Sequence, residues 1–221
     1  MLSPIIPAKL PRFREAAYQA IKEAILSGTI GPHHPLIEEQ LASLLAISRT
    51  PVREALAILE HEGLIAPRSG RGLYVAPVSR EAFVEMFVAN EAVEPFVVRR
   101  AALRATPIQL VALQDAISRA RHACEAHDTA LFLRASRDFH RLIGESAGNE
   151  TLTRFVVQNE ERADMYLLSV GANVNPRNMQ TSTDEHAAIL EEVIRRDPEA
   201  AARLAIYHAQ SLRQRLADLF Q

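Results

Sequence analysis

Ser48-Arg49-Thr50-Pro51-Val52-Arg53-Glu54-Ala55-Leu56-Ala57-Ile58-Leu59 is the stretch that decides how the chain folds. Val52, Ala55, Leu56 and Leu59 recur at helical steps and give one apolar side. The Ser48 hydroxyl can cap this helix, Pro51 is tolerated in its first turn, and Gly63 stops it. With the stripe buried, Arg49, Thr50 and Arg53 fall on the outward side near the N-terminus. Just upstream, Glu38 to Leu45 carries Leu41, Leu44 and Leu45 on one side, and Ala46-Ile47 makes a short break. Further upstream, Phe13, Ala17, Ile21, Ala24 and Ile25 outline a first helix that ends at Gly28. Downstream, Leu64-Ile65-Ala66 and Leu73-Tyr74-Val75 flank Arg68-Ser69-Gly70-Arg71-Gly72, which reads as a β-hairpin.

Two short helices joined by a tight turn and followed by a hairpin predict a winged helix-turn-helix over residues 1–77. In that motif the start of the second helix enters the major groove. Arg49 and Arg53 can reach phosphates or guanine O6/N7, Thr50 a phosphate or a thymine methyl, and the N–H groups after Ser48 a phosphate. The tip formed by Arg68, Ser69, Gly70 and Arg71 is expected to lie against the DNA backbone or minor groove, with Gly70 permitting close approach. Polar residues on an arbitrary exposed helix are usually just solvated. Here the preceding helix, the cap position and the basic hairpin accompany them.

The 221 residues include 25 basic and 27 acidic side chains, 48% apolar content and one cysteine. Such a chain can bury a core, so disorder as the main state is excluded. Cys124 has no partner for an intrachain disulfide, which fits a reducing cytosol. The start, with Pro4 and Pro7, does not resemble a signal peptide, and no apolar run approaches the ~18 residues of a membrane span, so neither export nor membrane insertion is expected. All basic residues but Lys9 and Lys22 are arginines, a composition that codon bias also produces. Residues 1–77 hold eight Lys/Arg against seven Asp/Glu, so bulk charge does not announce nucleic acid and local placement must carry that reading.

Composition shifts near Pro77 to long helical stretches. Ser79 opens a helix to about Arg104 with a kink expected at Pro95; Thr106-Pro107, Asp128 and Asn149-Glu150 open three more; Gly148 closes the third. Ser169 to Asn178 reads as a long loop, Thr183 as the start of a fifth helix and Asp197-Pro198 as the start of a sixth. The fold class is therefore mainly α: a winged helix-turn-helix with a small β-hairpin, then an all-α bundle of about six helices over 78–221. His140, His186 and His208 sit beside apolar stripes on three of these helices, and imidazoles on separate helices can converge on a divalent metal. Taken singly, each is more simply a core or surface histidine.

Ser48-Arg49-Thr50-Pro51-Val52-Arg53-Glu54-Ala55-Leu56, with Glu62-Gly63-Leu64-Ile65 and Arg71-Gly72-Leu73-Tyr74-Val75, resembles the DNA-binding domain of GntR-type bacterial transcription regulators. The chain departs from that pattern in two places: Ala46 stands where the interhelical turn usually has Gly, and Glu39 where some members carry a basic DNA contact. Phe139-His140-Arg141-Leu142 with Gly148-Asn149, Glu185-His186, and Asp197-Pro198 leading to His208 resemble the FCD ligand-sensing domain of the FadR subfamily. The resemblance implies a metal, often zinc or nickel, on three histidines and an aspartate one turn before the first, with an arginine and the metal holding a carboxylate effector. Here the aspartate position is Ser136 and the arginine position Asn90. Asp138 points about 200° away from Ser136's neighbourhood and does not substitute. The implied effector set is thus Asn90, Ser136, His140, His186 and His208, with the histidines as metal ligands.

The function expected is a cytoplasmic, homodimeric regulator that binds a near-palindromic duplex operator and responds to a small-molecule effector such as an organic acid. A metal-dependent hydrolase would use the same imidazoles with Asp138, Asp184 or Glu185 as base, but no catalytic signature accompanies them. A ligand-free dimeric DNA-binding protein is the third reading, favoured by Ser136 and Asn90.

Overall fold

The computed structural model describes residues 10–32, 34–68, 72–170 and 175–217. Contacts divide the chain into two compact units, Met1–Pro77 and Val78–Gln221.

The first unit contains α1 (Leu10–Leu26), β1 (Pro35–Leu36), α2 (Glu38–Leu44), α3 (Arg49–His61), β2 (Ile65–Pro67) and β3 (Leu73–Val75). α1 packs on α3, and the buried residues include Ala17, Ile21 and Ile25 of α1 and Val52, Ala55 and Leu59 of α3. Phe13, read from the sequence as part of that stripe, is instead 48% exposed. The turn between α2 and α3 is closed by Ala46 at φ 53°, with Ile47 N–H donating to Ala42 O at 3.1 Å. A Cβ in this left-handed region costs roughly 1–2 kcal/mol relative to glycine, which the surrounding helices must absorb. β2 and β3 pair antiparallel as the hairpin, and the two-residue β1 adds on the other side of β3, giving the order β1-β3-β2. β1 has no sequence signal because it is too short for alternation and begins with a proline, which an edge strand tolerates.

The second unit is six helices: α4 (Arg80–Arg104), α5 (Pro107–Ala126), α6 (Thr129–Ala147), α7 (Glu150–Ser169), α8 (Pro176–Arg195) and α9 (Pro198–Arg215). Each start has a side-chain cap: Ser79, Thr106 in a full capping box, Asp128, Asn149, Asn175 and Asp197. One sequence expectation here needs correction. α8 begins at Pro176, seven residues before Thr183, because Asn175 Oδ1 accepts from Asn178 N–H at 2.8 Å and Pro176 needs no donor in the first turn. The expected loop therefore shrinks, and its residues 171–174 lie outside those described. α4 continues as helix through Pro95, where the sequence expects a kink.

α4 packs against α6, α7, α8 and α9, so side chains from five helices can meet along its length. The deepest apolar layer has Val97 and Ala101 against Phe139, Ile143, Ile189 and Val193. α6 and α7 approach closely at Gly144, where a Cβ would stand 2.8 Å from Thr153 Oγ1 and 3.1 Å from its Cα. Below this layer, toward the α4 N-terminus, Phe83 stacks on Tyr166 at 4.7 Å, and the packing gives way to a cavity bordered by both apolar and polar side chains.

Candidate functional site

The first candidate surface is the start of α3. Ser48 occupies the N-cap position with extended backbone, yet its hydroxyl makes no cap hydrogen bond, contrary to the sequence expectation. Thr50 is exposed, and the side chains of Arg49 and Arg53 are 58% and 66% exposed. Both reach Glu38 at the start of α2: Arg53 donates from Nε at 2.9 Å and from Nη2 at 2.8 Å, and Arg49 from Nη2 at 3.4 Å. The Arg53 hydrogen bonds hold the Glu38 carboxyl below its ordinary range. Glu38 was not singled out from the sequence, since only the turn geometry brings α2's first residue opposite α3's first two turns. Arg68 lies over the Tyr74 ring at 5.8 Å, while Ser69, Gly70 and Arg71 lie outside the described residues.

The second is the cavity of the helical unit. α4 contributes Asn90 and Glu94, α6 Ser136 and His140, α7 Glu160 and Asp164, α8 His186, and α9 His208. The three histidines, separated by tens of residues in sequence, each present a ring nitrogen within 4.8 Å of the others. His186 Nε2 and His208 Nε2 face each other at 3.2 Å, and Phe139 stacks on the His186 ring at 4.4 Å. His208 Nδ1 lies 2.6 Å from Glu185 Oε2, and Arg215 in turn reaches Glu185 at 2.9 Å and Ser182 at 2.8 Å. His140 Nδ1 lies 3.3 Å from Glu94. Asn90 donates to Glu160 at 2.7 Å and accepts from Asn159 at 3.0 Å. Asp164 pairs with the buried Arg137.

Burial sets the titration of this cluster. It works against a charge on His140, but the neighbouring Glu94 and Glu160 prevail and push that imidazole up to about 9. Burial pushes His186 well below the ordinary histidine range, helped by His208 and His140, so His186 is neutral. Burial also works against Glu185, yet hydrogen bonds from His208 and Arg215 bring it down to about 2. Asp164 is raised by burial to about 7 despite Arg137.

These residues fit a divalent metal. Two imidazole nitrogens on a tetrahedral ion with bonds of ~2.0–2.1 Å stand about 3.3–3.4 Å apart, close to the His186–His208 spacing of 3.2 Å. A carboxylate on Nδ1 favours the tautomer whose Nε2 lone pair points inward, which is the usual support behind a metal-bound histidine. Ser136 borders the cavity, whereas Asp138 faces away and accepts from Arg119 at 2.7 Å and Arg141 at 3.1 Å. Sequence reasoning missed Glu94, Glu160 and Asp164. The usable signal was spacing: Asn90/Glu94 and Glu160/Asp164 are both four apart, and so share a helix face.

A winged helix-turn-helix with two arginines standing out from its second helix, followed by a helical unit with a polar cavity, defines a ligand-responsive DNA-binding regulator. Comparison with known proteins agrees. Residues 13–75 match the bacterial regulatory proteins of the gntR family, and residues 85–211 match the FCD domain. The HTH-type transcriptional repressor RspR of Escherichia coli is 27% identical over 204 residues, covering 92% of this chain and 89% of that protein. The HTH-type transcriptional repressor NanR of Citrobacter rodentium is 28% identical over 197 residues, covering 79% and 74%. The structure of E. coli McbR/YncC superposes with a TM-score of 0.81 at 23% identity, covering 100% of this chain and 99% of that one, and so shares its fold. The chain belongs to the GntR family of transcription regulators, in the branch that carries an FCD domain. It is a regulator rather than an enzyme, with DNA and a small-molecule effector as its ligands. Among the described residues no helix is long and apolar enough to cross a membrane.

Proposed function

We propose that the protein acts in the cytoplasm as a homodimer on a near-palindromic operator, and that an effector in the FCD cavity alters its operator affinity. The observation that carries the DNA reading is the placement of Arg49 and Arg53 at the start of α3: exposed, one turn apart, and fanned from a shared carboxylate, that of Glu38 at the start of α2. Ser48 and Thr50 flank them for phosphate contact, and the wing residues Arg68, Ser69, Gly70 and Arg71 complete the interface. Support for a dimer comes from apolar side chains left open on α4 and α5: Phe96, Leu103, Ile108 and Val111 are 50%, 66%, 83% and 65% exposed. A two-fold protein would read a two-fold site.

Within the cavity His140, His186 and His208 would hold a divalent metal, zinc or nickel, and Asn90 and Ser136 would border the effector beside it. When bound, the metal supplies a positive docking point for an oxygen of the effector. The effector acts through its differential affinity for the DNA-competent and DNA-incompetent states.

Footprinting on genomic fragments should reveal a protected symmetric element, and Arg49→Ala or Arg53→Ala should each cost about 1–3 kcal/mol of binding to it. Unchanged binding by both variants would remove the recognition role. Elemental analysis of the purified protein should find metal that the His140→Ala, His186→Ala and His208→Ala variants lose; retention by all three would remove the histidine site.

A further inference from the structure

Four carboxylates border the cavity, those of Glu91, Glu94, Glu160 and Asp164, and among the described residues no lysine or arginine borders it. Two of the four are answered from behind the wall: Arg213 reaches Glu91 at 3.0 Å, and Arg137 pairs with Asp164. Glu94 meets His140. Glu160 differs, because its donor at 2.7 Å is the uncharged amide of Asn90, and the nearby His140 imidazole is shared with Glu94. That amide is itself locked: its oxygen accepts from Asn159, and Asn90 is only 7% exposed. It therefore presents a fixed dipole to Glu160 and no charge. An amide offers part of the stabilisation that an ionic partner gives a desolvated carboxylate.

Charge accounting then limits what can enter. The two positive charges of an ion on neutral imidazoles would offset Glu94 and Glu160, so an effector bringing only carboxylates would add negative charge with nothing to balance it. Without an ion, the His140 imidazole stands by both Glu94 and Glu160 and can answer only one of the two. In both cases the missing element is a positive group on the ligand beside Glu160. The adjoining walls of Phe83, Phe87 and Leu167 suit a short alkyl portion. We infer that the effector carries a protonated amine which Glu160 receives, with Asn90 as the positioning residue that holds Glu160 in place. The inference rests on the cavity being the effector site, and it names the chemical class of that effector.

The test uses the full chain, zinc-loaded and zinc-free, in calorimetric titrations without DNA. The probes are matched four-carbon compounds: n-butylamine, γ-aminobutyrate, n-butyrate and succinate. The two amines should bind at least ~10-fold more tightly than the two pure acids, the advantage of a charge-assisted hydrogen bond in a desolvated site. Glu160→Gln should erase that advantage while keeping zinc content and melting temperature, and Asn90→Arg should shift preference toward the acids. Pure acids binding the unmodified protein as tightly as the amines, or no binding by either amine, would overturn the inference. So would an unaltered preference in Glu160→Gln. Zinc lost from Glu160→Gln would make Glu160 an ion ligand and would also overturn it. Because the titrations contain no DNA, failure of operator binding, measured separately, would refute the regulator reading and leave the amine result standing.

Discussion

The reading face of α3 and the cavity of the helical unit carry the two halves of the function by opposite means. Arg53 is two-thirds exposed, while His208 is 4% exposed and His186 1%. On the open face water satisfies whatever the protein does not, so the geometry is set by a few residues of one helix and a single carboxylate from the next. In the cavity every polar group needs a protein partner, since leaving one unmet costs about 1–3 kcal/mol. The partners come from five helices. An exposed site can thus be built from local sequence, whereas a buried one must be solved by the whole bundle at once.

If that contrast is right, deleting a buried charge should cost stability, whereas substitutions on the open face should cost only binding. The largest effect is expected from Asp164→Ala, which breaks the buried Arg137–Asp164 ion pair; the helical unit should lose about 3–5 kcal/mol in urea unfolding. A loss no larger than that of a surface substitution would break the comparison. Next, Glu185→Gln weakens the support behind His208, and zinc affinity by competitive chelation should fall about 10- to 100-fold with little change in fold. A pair of serines sharpens the contrast further. Ser79→Ala deletes a working cap, where the hydroxyl accepts from Ala82 N–H at 3.2 Å, and should cost about 1 kcal/mol. Ser48→Ala, at an N-cap position with no such bond, should leave the melting temperature nearly unchanged and weaken operator binding instead. Smallest of all, Glu38→Gln should raise affinity for non-specific duplex by the ~0.2–1 kcal/mol typical of an exposed ion pair, read by fluorescence anisotropy. A fall in that affinity would show that Glu38 organises the arginines rather than restrains them.

What could be read from the sequence follows the same division. The α3 stripe, the hairpin and the starts at Ser79, Thr106, Asp128, Asn149 and Asp197 are local patterns, and each stands where its residues indicate. Asn175-Pro176 was equally local, but a proline beside glycine and asparagine residues reads as readily as a loop as a first helical turn. Phe13 fits the helical period and stays exposed, because periodicity gives a face without giving what covers it. The cavity was legible only in part. His140, His186 and His208 stood out through a family pattern, while Glu94 and Glu160 are acids among 27 in the chain, and nothing short of the packed bundle brings them to His140.

The carboxylate that gathers Arg49 and Arg53 has a consequence for how the protein meets DNA. The two guanidiniums come to the duplex already sharing one internal counterion, so engagement is in part an exchange of Glu38 for phosphate or guanine rather than the filling of two bare charges. Fewer small ions are set free by such an exchange, and operator affinity should decline less steeply with added salt than two unencumbered arginines would dictate.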